Sequence, residues 1–118
     1  MKKVLAVDDA PTVLKIVDFT LSDEGYQVKT AASAEEAKKL LESESFDIGI
    51  FDVNMPGQNG IDLTKDVMQS DSGKHMKIVI VTTESSEELK SAGKAAGAVG
   101  WLVKPFESED LLELVAKL

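Results

Sequence analysis

The sequence predicts an α/β fold, a doubly wound parallel sheet with helices on both faces. Two observations predict it. Strand and helix patterns alternate through all 118 residues, as five βα units without repeats or linkers. The strand segments are almost continuously apolar, which is typical of strands covered on both faces. This length suits a single domain, which we expect to span 1–118.

Five short segments carry the strand pattern. They are Lys3–Val7, Gln27–Thr30, Ile48–Phe51, Lys77–Val81 and Trp101–Val103. The first strand must lie centrally, because its carboxyl end carries polar groups that need partners. The strand order 2-1-3-4-5 places it there and brings the ends of strands 1 and 3 to the point where ligands bind in such sheets.

Breaking and capping residues delimit the first three helices. Pro11 suits the first turn of a helix, where its missing N–H costs nothing, and Gly25 ends that helix. The segment Ser33–Glu36 is a capping box that opens the second helix. Gly60 precedes the third helix, and Gly73 is predicted to break it.

The last two helices are predicted from serine caps. The segment Ser85–Glu88 caps the fourth helix, Gly97 stops it, and Ser108 caps the fifth. We expect the inward face of the fourth helix to carry small residues: Ala92, Ala95 and Ala96.

Composition excludes several classes of function. The formal net charge of -8 repels nucleic acid, so we expect no nucleic-acid partner. Without cysteine there is no disulfide or thiolate metal site. No apolar run approaches the ~20 residues that span a bilayer, and the start of the chain lacks signal-peptide features. We expect a cytoplasmic protein with no membrane partner.

Polar side chains gather where four of the predicted strands end. Asp8 and Asp9 follow the first strand, Asp52 the third, Thr82 the fourth and Lys104 the fifth. Carboxyl ends of parallel strands share one edge of the sheet, and ligands bind at that edge. We therefore expect these five side chains to form one site.

The residue types at this edge indicate phosphoryl chemistry. Two carboxylates ~4 Å apart repel by about 1 kcal/mol in water and about 4 kcal/mol at an effective dielectric of 20. Either one is protonated or a cation lies among them, and Mg²⁺ suits such oxygen ligands. With Lys104 and Thr82 beside the ion, the edge forms a pocket for a phosphoryl group, and Asp52 is the candidate nucleophile. Pro105 restricts the backbone of Lys104 to extended conformations. The sequence does not decide whether the Lys104–Pro105 peptide bond is cis or trans.

Each residue also has a simpler interpretation. Aspartates at strand ends commonly form turns or helix caps, and Asp9 beside Pro11 is a candidate cap. Thr82 could satisfy local backbone, and Lys104 could be a solvated surface lysine. Turn formation alone does not explain why all these groups share one predicted edge.

Four motifs in order resemble the receiver domain of bacterial two-component response regulators. They are Val7–Asp9, Phe51–Gly57, Val81–Glu84 and Val103–Phe106, and the resemblance covers essentially the whole chain. It implies a flavodoxin-like (βα)5 fold, whose strand order flavodoxin and the chemotaxis receiver CheY share. It also implies a stand-alone CheY-like receiver without an output domain. The alternative within the family is a receiver fragment of a longer regulator.

The resemblance implies a phosphoacceptor with a metal ion beside it. Asp52 would accept the phosphoryl group from a sensor histidine kinase of the CheA-like kind. The side chains of Asp9 and Asp52 and the backbone carbonyl of Asn54 would hold Mg²⁺, with Mn²⁺ as an alternative ion. Asp8 would act on the metal through water.

It also implies a switch beside the phosphoryl group. Thr82 and Lys104 would bind phosphoryl oxygens, helped by the Thr83 backbone. Trp101 occupies the aromatic switch position and would turn inward when Thr82 moves. Tryptophan is bulkier than the tyrosine or phenylalanine usual there, which leaves its full inward rotation open.

The implied partners follow from the same resemblance. Asn54 and Glu84 match a flanking pair that modulates dephosphorylation and admits an auxiliary phosphatase. A downstream protein target, such as a flagellar motor component, would bind the activated form. Such a protein is no enzyme for external substrates, since it catalyses only its own phosphorylation and dephosphorylation.

Other classes of function fit the residues less well. A Mg²⁺-dependent aspartyl phosphatase needs a general acid two residues after the nucleophile, and Asn54 cannot serve. A flavin or nucleotide module would carry glycine and hydroxyl donors after the first strand, where Asp8 and Asp9 stand. A degenerate receiver that acts only as an interaction domain would not need the intact set of site residues.

Overall fold

The computed structural model describes residues 2–84 and 86–118 and confirms the predicted fold. Five parallel strands form one sheet in the order β2-β1-β3-β4-β5. The strands are β1 Lys3–Val7, β2 Gln27–Ala31, β3 Ile48–Asp52, β4 Lys77–Thr82 and β5 Gly100–Val103. The helices are α1 Pro11–Asp23, α2 Ala34–Ser43, α3 Gly60–Gln69, α4 Glu87–Ala96 and α5 Ser108–Ala116.

Two apolar layers cover the sheet, one on each face. Leu5, Phe51 and Ile80 belong to the layer formed with α2, α3 and α4. Val4 and Val79 belong to the opposite layer, formed with α1 and α5. Successive strand residues point to opposite faces, so a sheet buried on both faces needs apolar residues at nearly every position. This explains why the strands read as continuous apolar runs.

Three strands continue one residue beyond their predicted ends. β2 runs to Ala31, β3 to Asp52 and β4 to Thr82. The pairing of Asp52 with Val81, and of Thr82 with Val103, keeps both polar residues in the sheet. Asp52 and Thr82 are therefore terminal strand residues, with backbones held by neighbouring strands.

Two predicted helix boundaries are corrected. α3 ends at Gln69 with Ser70 as its C-cap, so the helix stops before Gly73. The N-cap of α5 is Glu107, with its own backbone N–H donating to Asp110 Oδ2 at 3.2 Å. Ser108 is instead the first residue of the helix, and its Oγ lies 3.3 Å from Thr20 Oγ1.

The fourth helix is rotated relative to its predicted orientation. Ala96 is buried as predicted, whereas Ala92 and Ala95 are exposed and Gly93 is the other buried residue of α4. Ser86, within the predicted capping segment, caps the helix by accepting from Leu89 N at 3.2 Å, and Ser85 lies outside the described residues. The indole of Trp101 lies against the helix at Gly93, so the absence of a side chain there decides which face turns inward.

Gly60 brings the start of α3 against the backbone of Asp52. A Cβ built on Gly60 would overlap the Asp52 carbonyl oxygen and lie 2.8 Å from its carbon. Backbone cannot rotate away as a flexible side chain can, so we expect Gly60→Ala to lower the free energy of unfolding by about 1–3 kcal/mol. Urea unfolding would measure this. Lys65→Ala, at an exposed position of the same helix, is the control and should stay within about 0.5 kcal/mol of wild type. Equal stability of Gly60→Ala and wild type would contradict this packing argument.

Candidate functional site

The carboxyl edge of the sheet brings the predicted site residues together. Asp8 follows β1, Asp52 ends β3, Thr82 ends β4 and Lys104 follows β5. Asp8, Asp52 and Thr82 are buried, and Lys104 is half-buried. The prediction that these side chains share one edge is confirmed.

Three carboxylates converge at this edge. Asp8, Asp9 and Asp52 each offer an oxygen, and these oxygens lie within 4.8 Å of one another. Asp8 and Asp52 are buried, whereas Asp9 is exposed. The cluster therefore combines two carboxylates shielded from water with one that solvent reaches.

Lys104 lies between the two buried carboxylates. Its Nζ is 2.8 Å from Asp8 Oδ2 and 3.3 Å from Asp52 Oδ1, and its side chain is only 17% exposed. The interpretation of Lys104 as a solvated surface residue is thus wrong. The Lys104–Pro105 peptide bond is cis, which the sequence left open.

Asp8 and Asp9 have different surroundings. Asp8 Oδ1 accepts from Ala10 N at 2.9 Å, and its other oxygen binds Lys104. The N-cap of α1 is Ala10, without a side-chain hydrogen bond, so Asp9 does not cap this helix. The carboxylate of Asp9 is left at the exposed side of the cluster.

Burial and the nearby negative charge of Asp8 make Asp52 a weaker acid than an ordinary aspartate. Burial, and next the charge of Asp8, raise the pKa of Asp52 to about 6, against the opposing effects of Lys104 and the Asn54 backbone N–H. For Lys104, burial disfavours the charged amine, but hydrogen bonds and charges of Asp8 and Asp52 outweigh it and raise the pKa. The edge therefore carries more negative charge than one lysine neutralises.

This arrangement fits a magnesium ion. All three converging ligands are carboxylate oxygens, and Mg²⁺ prefers one or two carboxylates together with waters. The exposed position of Asp9 leaves room for those waters. A cation here would relieve the repulsion that raises the pKa of Asp52.

Thr82 keeps a hydrogen-bond donor available. Its side chain is fully buried, and Oγ1 accepts from Glu84 N at 3.0 Å. The interpretation that Thr82 satisfies local backbone is thus correct in part. Accepting this bond leaves the hydroxyl hydrogen free to bind an anionic oxygen. Asn54, Thr83 and Glu84 are exposed around the site.

Trp101 lies on the same face of the sheet as Thr82. Trp101 pairs with Ile80 and Val103 pairs with Thr82 in the parallel register, so these four side chains share a face. The ring is half-buried and packs against the core layer on that face. Sequence reasoning did not reveal the close contact of Gly60 with the Asp52 backbone or that of Gly93 with the Trp101 ring.

No helix among residues 2–84 and 86–118 combines the length and the apolar character required to cross a bilayer.

Comparison with known proteins identifies the family. The family described as response regulator receiver domain matches residues 4–116. Chemotaxis protein CheY-3 of Vibrio cholerae is 35% identical over 117 residues, covering 98% of this chain and 90% of that protein. The alginate biosynthesis transcriptional regulatory protein AlgB of Pseudomonas aeruginosa is 36% identical over 115 residues. That match covers 98% of this chain but 25% of AlgB.

A solved structure agrees with the fold in detail. Vibrio cholerae chemotaxis protein CheY4, crystallised at pH 4.0, superposes with a TM-score of 0.96 at 46% identity. The superposition covers 99% of this chain and 98% of that one. The similarity thus extends over the whole sheet and all five helices. The chain belongs to the response regulator receiver domain family.

Proposed function

We propose that the chain is a phosphorylation-activated switch in which Asp52 accepts a phosphoryl group from a sensor histidine kinase. The observation that carries this proposal is the position of Asp52, a buried carboxylate at a strand end with Lys104 Nζ 3.3 Å away. Family membership supports it, because receiver domains are signalling switches that interact with histidine kinases and downstream targets. Transfer forms a bond between an Asp52 oxygen and phosphorus and breaks the donor's N–P bond. The leaving imidazole keeps the bonding pair.

Mg²⁺ is the cofactor that the acidic cluster supports, with Mn²⁺ as a substitute. Receiver domains bind Mg²⁺ at an acidic cluster, here Asp8, Asp9 and Asp52. We assign the side chains of Asp9 and Asp52 and the carbonyl of Asn54 as ligands, with Asp8 acting through water. When bound, the ion neutralises charge on the phosphoryl oxygens. Direct pairing of Asp8 with Lys104 supports its indirect role, because that carboxylate is already engaged.

Lys104 and Thr82 stabilise the phosphorylated state in this proposal. The amine of Lys104 turns from the carboxylates toward a phosphoryl oxygen, and the hydroxyl of Thr82 donates to another. The Thr83 backbone assists them. Trp101 responds because it shares a sheet face with Thr82, so movement of that hydroxyl changes the space beside the ring.

We further infer a receiver of the chemotaxis type. The similarity to CheY-3, which covers 90% of that protein, supports this inference. The proposed partners are a CheA-like kinase, a downstream target such as a flagellar motor component, and an auxiliary phosphatase. Exposed Asn54 and Glu84 flank the site and are assigned to modulate dephosphorylation.

Turnover of an external phosphate ester is disfavoured by Asn54. An aspartyl phosphatase needs an acid two residues after its nucleophile, and an amide cannot donate a proton in that role. The reaction of this chain is accordingly limited to its own phosphorylation and dephosphorylation.

Fluorescence of Trp101 tests the proposed switch. We expect Mg²⁺ to change the emission of wild type, and beryllofluoride, a phosphoryl mimic, to change it further only when Mg²⁺ is present. Both responses should vanish or weaken strongly in Asp52→Asn. The indole reports because it packs beside the Thr82 face of the sheet. Absence of Mg²⁺ binding and of any mimic response would instead favour a degenerate interaction domain. Mimic binding with constant emission would retain the phosphoacceptor and remove Trp101 from the switch.

A further inference from the structure

Gly93 in α4 leaves the space that the Trp101 indole fills. A Cβ built on Gly93 would overlap Trp101 Cζ3, with Cη2 at 3.1 Å and Ile80 Cγ1 at 3.5 Å. Glycine inside a helix is unfavourable compared with alanine, so its presence in the middle of α4 requires another explanation. The explanation here is contact, because no side chain fits between this helix and the ring.

The ring occupies a position between sheet and helix. Trp101 pairs with Ile80 in the register, and both residues lie beside buried Gly93. The indole is therefore in contact with the backbone of α4 rather than with a side chain that could rotate away. Displacement of the ring and displacement of the helix are coupled through this contact.

The indole N–H disfavours this inward position of the ring. Trp101 Nε1 is buried, and within residues 2–84 and 86–118 it has no hydrogen-bond partner. A buried donor without an acceptor is disfavoured compared with one that water reaches. Apolar packing of the six-membered ring favours the inner position, while the N–H favours a position nearer to solvent. The two effects act in opposite directions on a single side chain.

We propose that Gly93 is the positioning residue that admits Trp101, and that the two form a size-matched pair linking the ring to α4. The missing side chain at 93 sets how far inward the ring goes, and the unpaired N–H keeps the inner position from being locked. This inference concerns the unphosphorylated protein and goes beyond the proposed function. Only its consequence for signalling depends on that function.

The test is Gly93→Ala, measured without metal or phosphoryl mimic. We expect the added methyl group to push the ring outward, which shifts Trp101 emission to longer wavelength and increases quenching by acrylamide. Ala92→Gly is the matched control, because it changes glycine content at an exposed neighbouring position of the same helix. That control should leave the emission maximum and quenching at wild-type values. Unchanged emission and quenching in a folded Gly93→Ala protein would overturn the proposal.

A second test introduces Gly93→Ala into the Trp101→Phe variant. It distinguishes a glycine required for contact with the ring from one required by the helix backbone itself. In Trp101→Phe the two indole atoms nearest to residue 93, Cζ3 and Cη2, are gone, and Ile80 Cγ1 at 3.5 Å is at an ordinary contact distance. Adding Gly93→Ala to this variant should therefore raise Tm by a few degrees through helix propensity, roughly 2–5 °C. In the Trp101 background the same substitution should lower Tm. Equal losses in both backgrounds would mean that α4 needs glycine for its own backbone, and the pair would be rejected. This comparison remains decisive even where Gly93→Ala alone is too unstable to purify.

Calorimetry with Mg²⁺ and beryllofluoride distinguishes this inference from the proposed function. Calorimetry detects binding without using the indole as the reporter, so it reports occupancy of the phosphoryl site directly. Wild type that fails to bind the mimic would reject the proposed function and leave the Gly93–Trp101 pair standing. Wild type that binds the mimic, together with a Gly93→Ala ring that does not move, would reject only the pair. Support for both requires that wild type bind the mimic and that Gly93→Ala move the ring.

Discussion

Asp52→Asn will reduce phosphorylation by a small acyl phosphate, such as acetyl phosphate with Mg²⁺, to background. The amide lacks the anionic oxygen that attacks phosphorus, and the substitution also removes one carboxylate from the metal cluster. Intact-mass spectrometry after incubation measures the incorporated phosphoryl group.

Two controls define the result. Asp62→Asn changes an exposed carboxyl in α3 and should leave phosphorylation at the wild-type level. Asp9→Asn keeps the nucleophile and removes an exposed metal ligand, so phosphorylation should fall and recover partly at high Mg²⁺. Full incorporation in the Asp52→Asn protein would reject Asp52 as the phosphoacceptor and direct attention to Asp8 or Asp9.

Asp52→Asn will also stabilise the metal-free protein at neutral pH. The folded-state pKa of Asp52 is raised to about 6, while an aspartate in an unfolded chain has a pKa of about 4. Between these values the folded state holds a proton that the unfolded state has released, so the free energy of unfolding falls as pH rises. Above pH 6 the resulting loss in the free energy of unfolding is roughly 2–3 kcal/mol. Asparagine has no charge to bury and avoids this loss.

Chemical denaturation at two pH values measures the effect. The variant should exceed wild type in unfolding free energy at pH 7.5, and the two proteins should converge near pH 4. Lys104 Nζ is 2.8 Å from Asp8 Oδ2, and the substitution leaves Asp8 in place, so we expect no buried cation to be left alone. Other carboxyl groups with a lowered pKa, such as Glu44 and Asp66, contribute equally to the free energy of unfolding of both proteins. Their contributions therefore cancel when the two proteins are compared at the same pH. A variant less stable than wild type at pH 7.5 would show that the ion pair with Lys104 outweighs the desolvation of Asp52.

Adding Mg²⁺ should remove most of this difference. An ion bound by wild type at 100 times its dissociation constant adds about 2.7 kcal/mol to the free energy of unfolding. The variant has lost a ligand and should gain much less. Below pH 6 protons compete for Asp52, so the stabilisation by Mg²⁺ should decline.

The sheet was predictable because each strand carries its own signal. Apolar runs such as Ile48–Phe51 end in a polar residue, and this ending reveals both the strand and the edge where ligands bind. Strand ends were predicted one residue short at Asp52 and Thr82, since a polar residue in sequence reads as a turn. Pairing with a neighbouring strand holds these residues in the sheet, and this pairing is a tertiary effect.

The orientation of α4 was not predictable from its own residues. Alanine and glycine carry too little hydrophobic contrast for periodicity to decide which face is buried. The decision comes from Trp101, which reaches the helix from the neighbouring strand and fits only against Gly93. In α5, likewise, Ser108 is a good cap by type, yet Glu107 and Asp110 supply the capping pair.

Composition of the site was predictable, whereas its internal pairing was not. Acidic and basic residues at successive strand ends predict a shared edge. They do not show that Lys104 approaches Asp8 more closely than Asp52, at 2.8 and 3.3 Å. That preference depends on side-chain reach and on the backbone around Lys104, which only the folded chain defines.

One backbone contact links the two groups assigned to hold the phosphoryl oxygens. Lys104 N donates to the Thr82 carbonyl at 2.7 Å, and Thr82 Oγ1 accepts from Glu84 N. The ends of β4 and β5 are thus joined immediately beside the site, so neither can open without breaking a hydrogen bond to the other. Amide hydrogen exchange should therefore show Lys104 and Glu84 opening as one cooperative unit, which phosphorylation protects together.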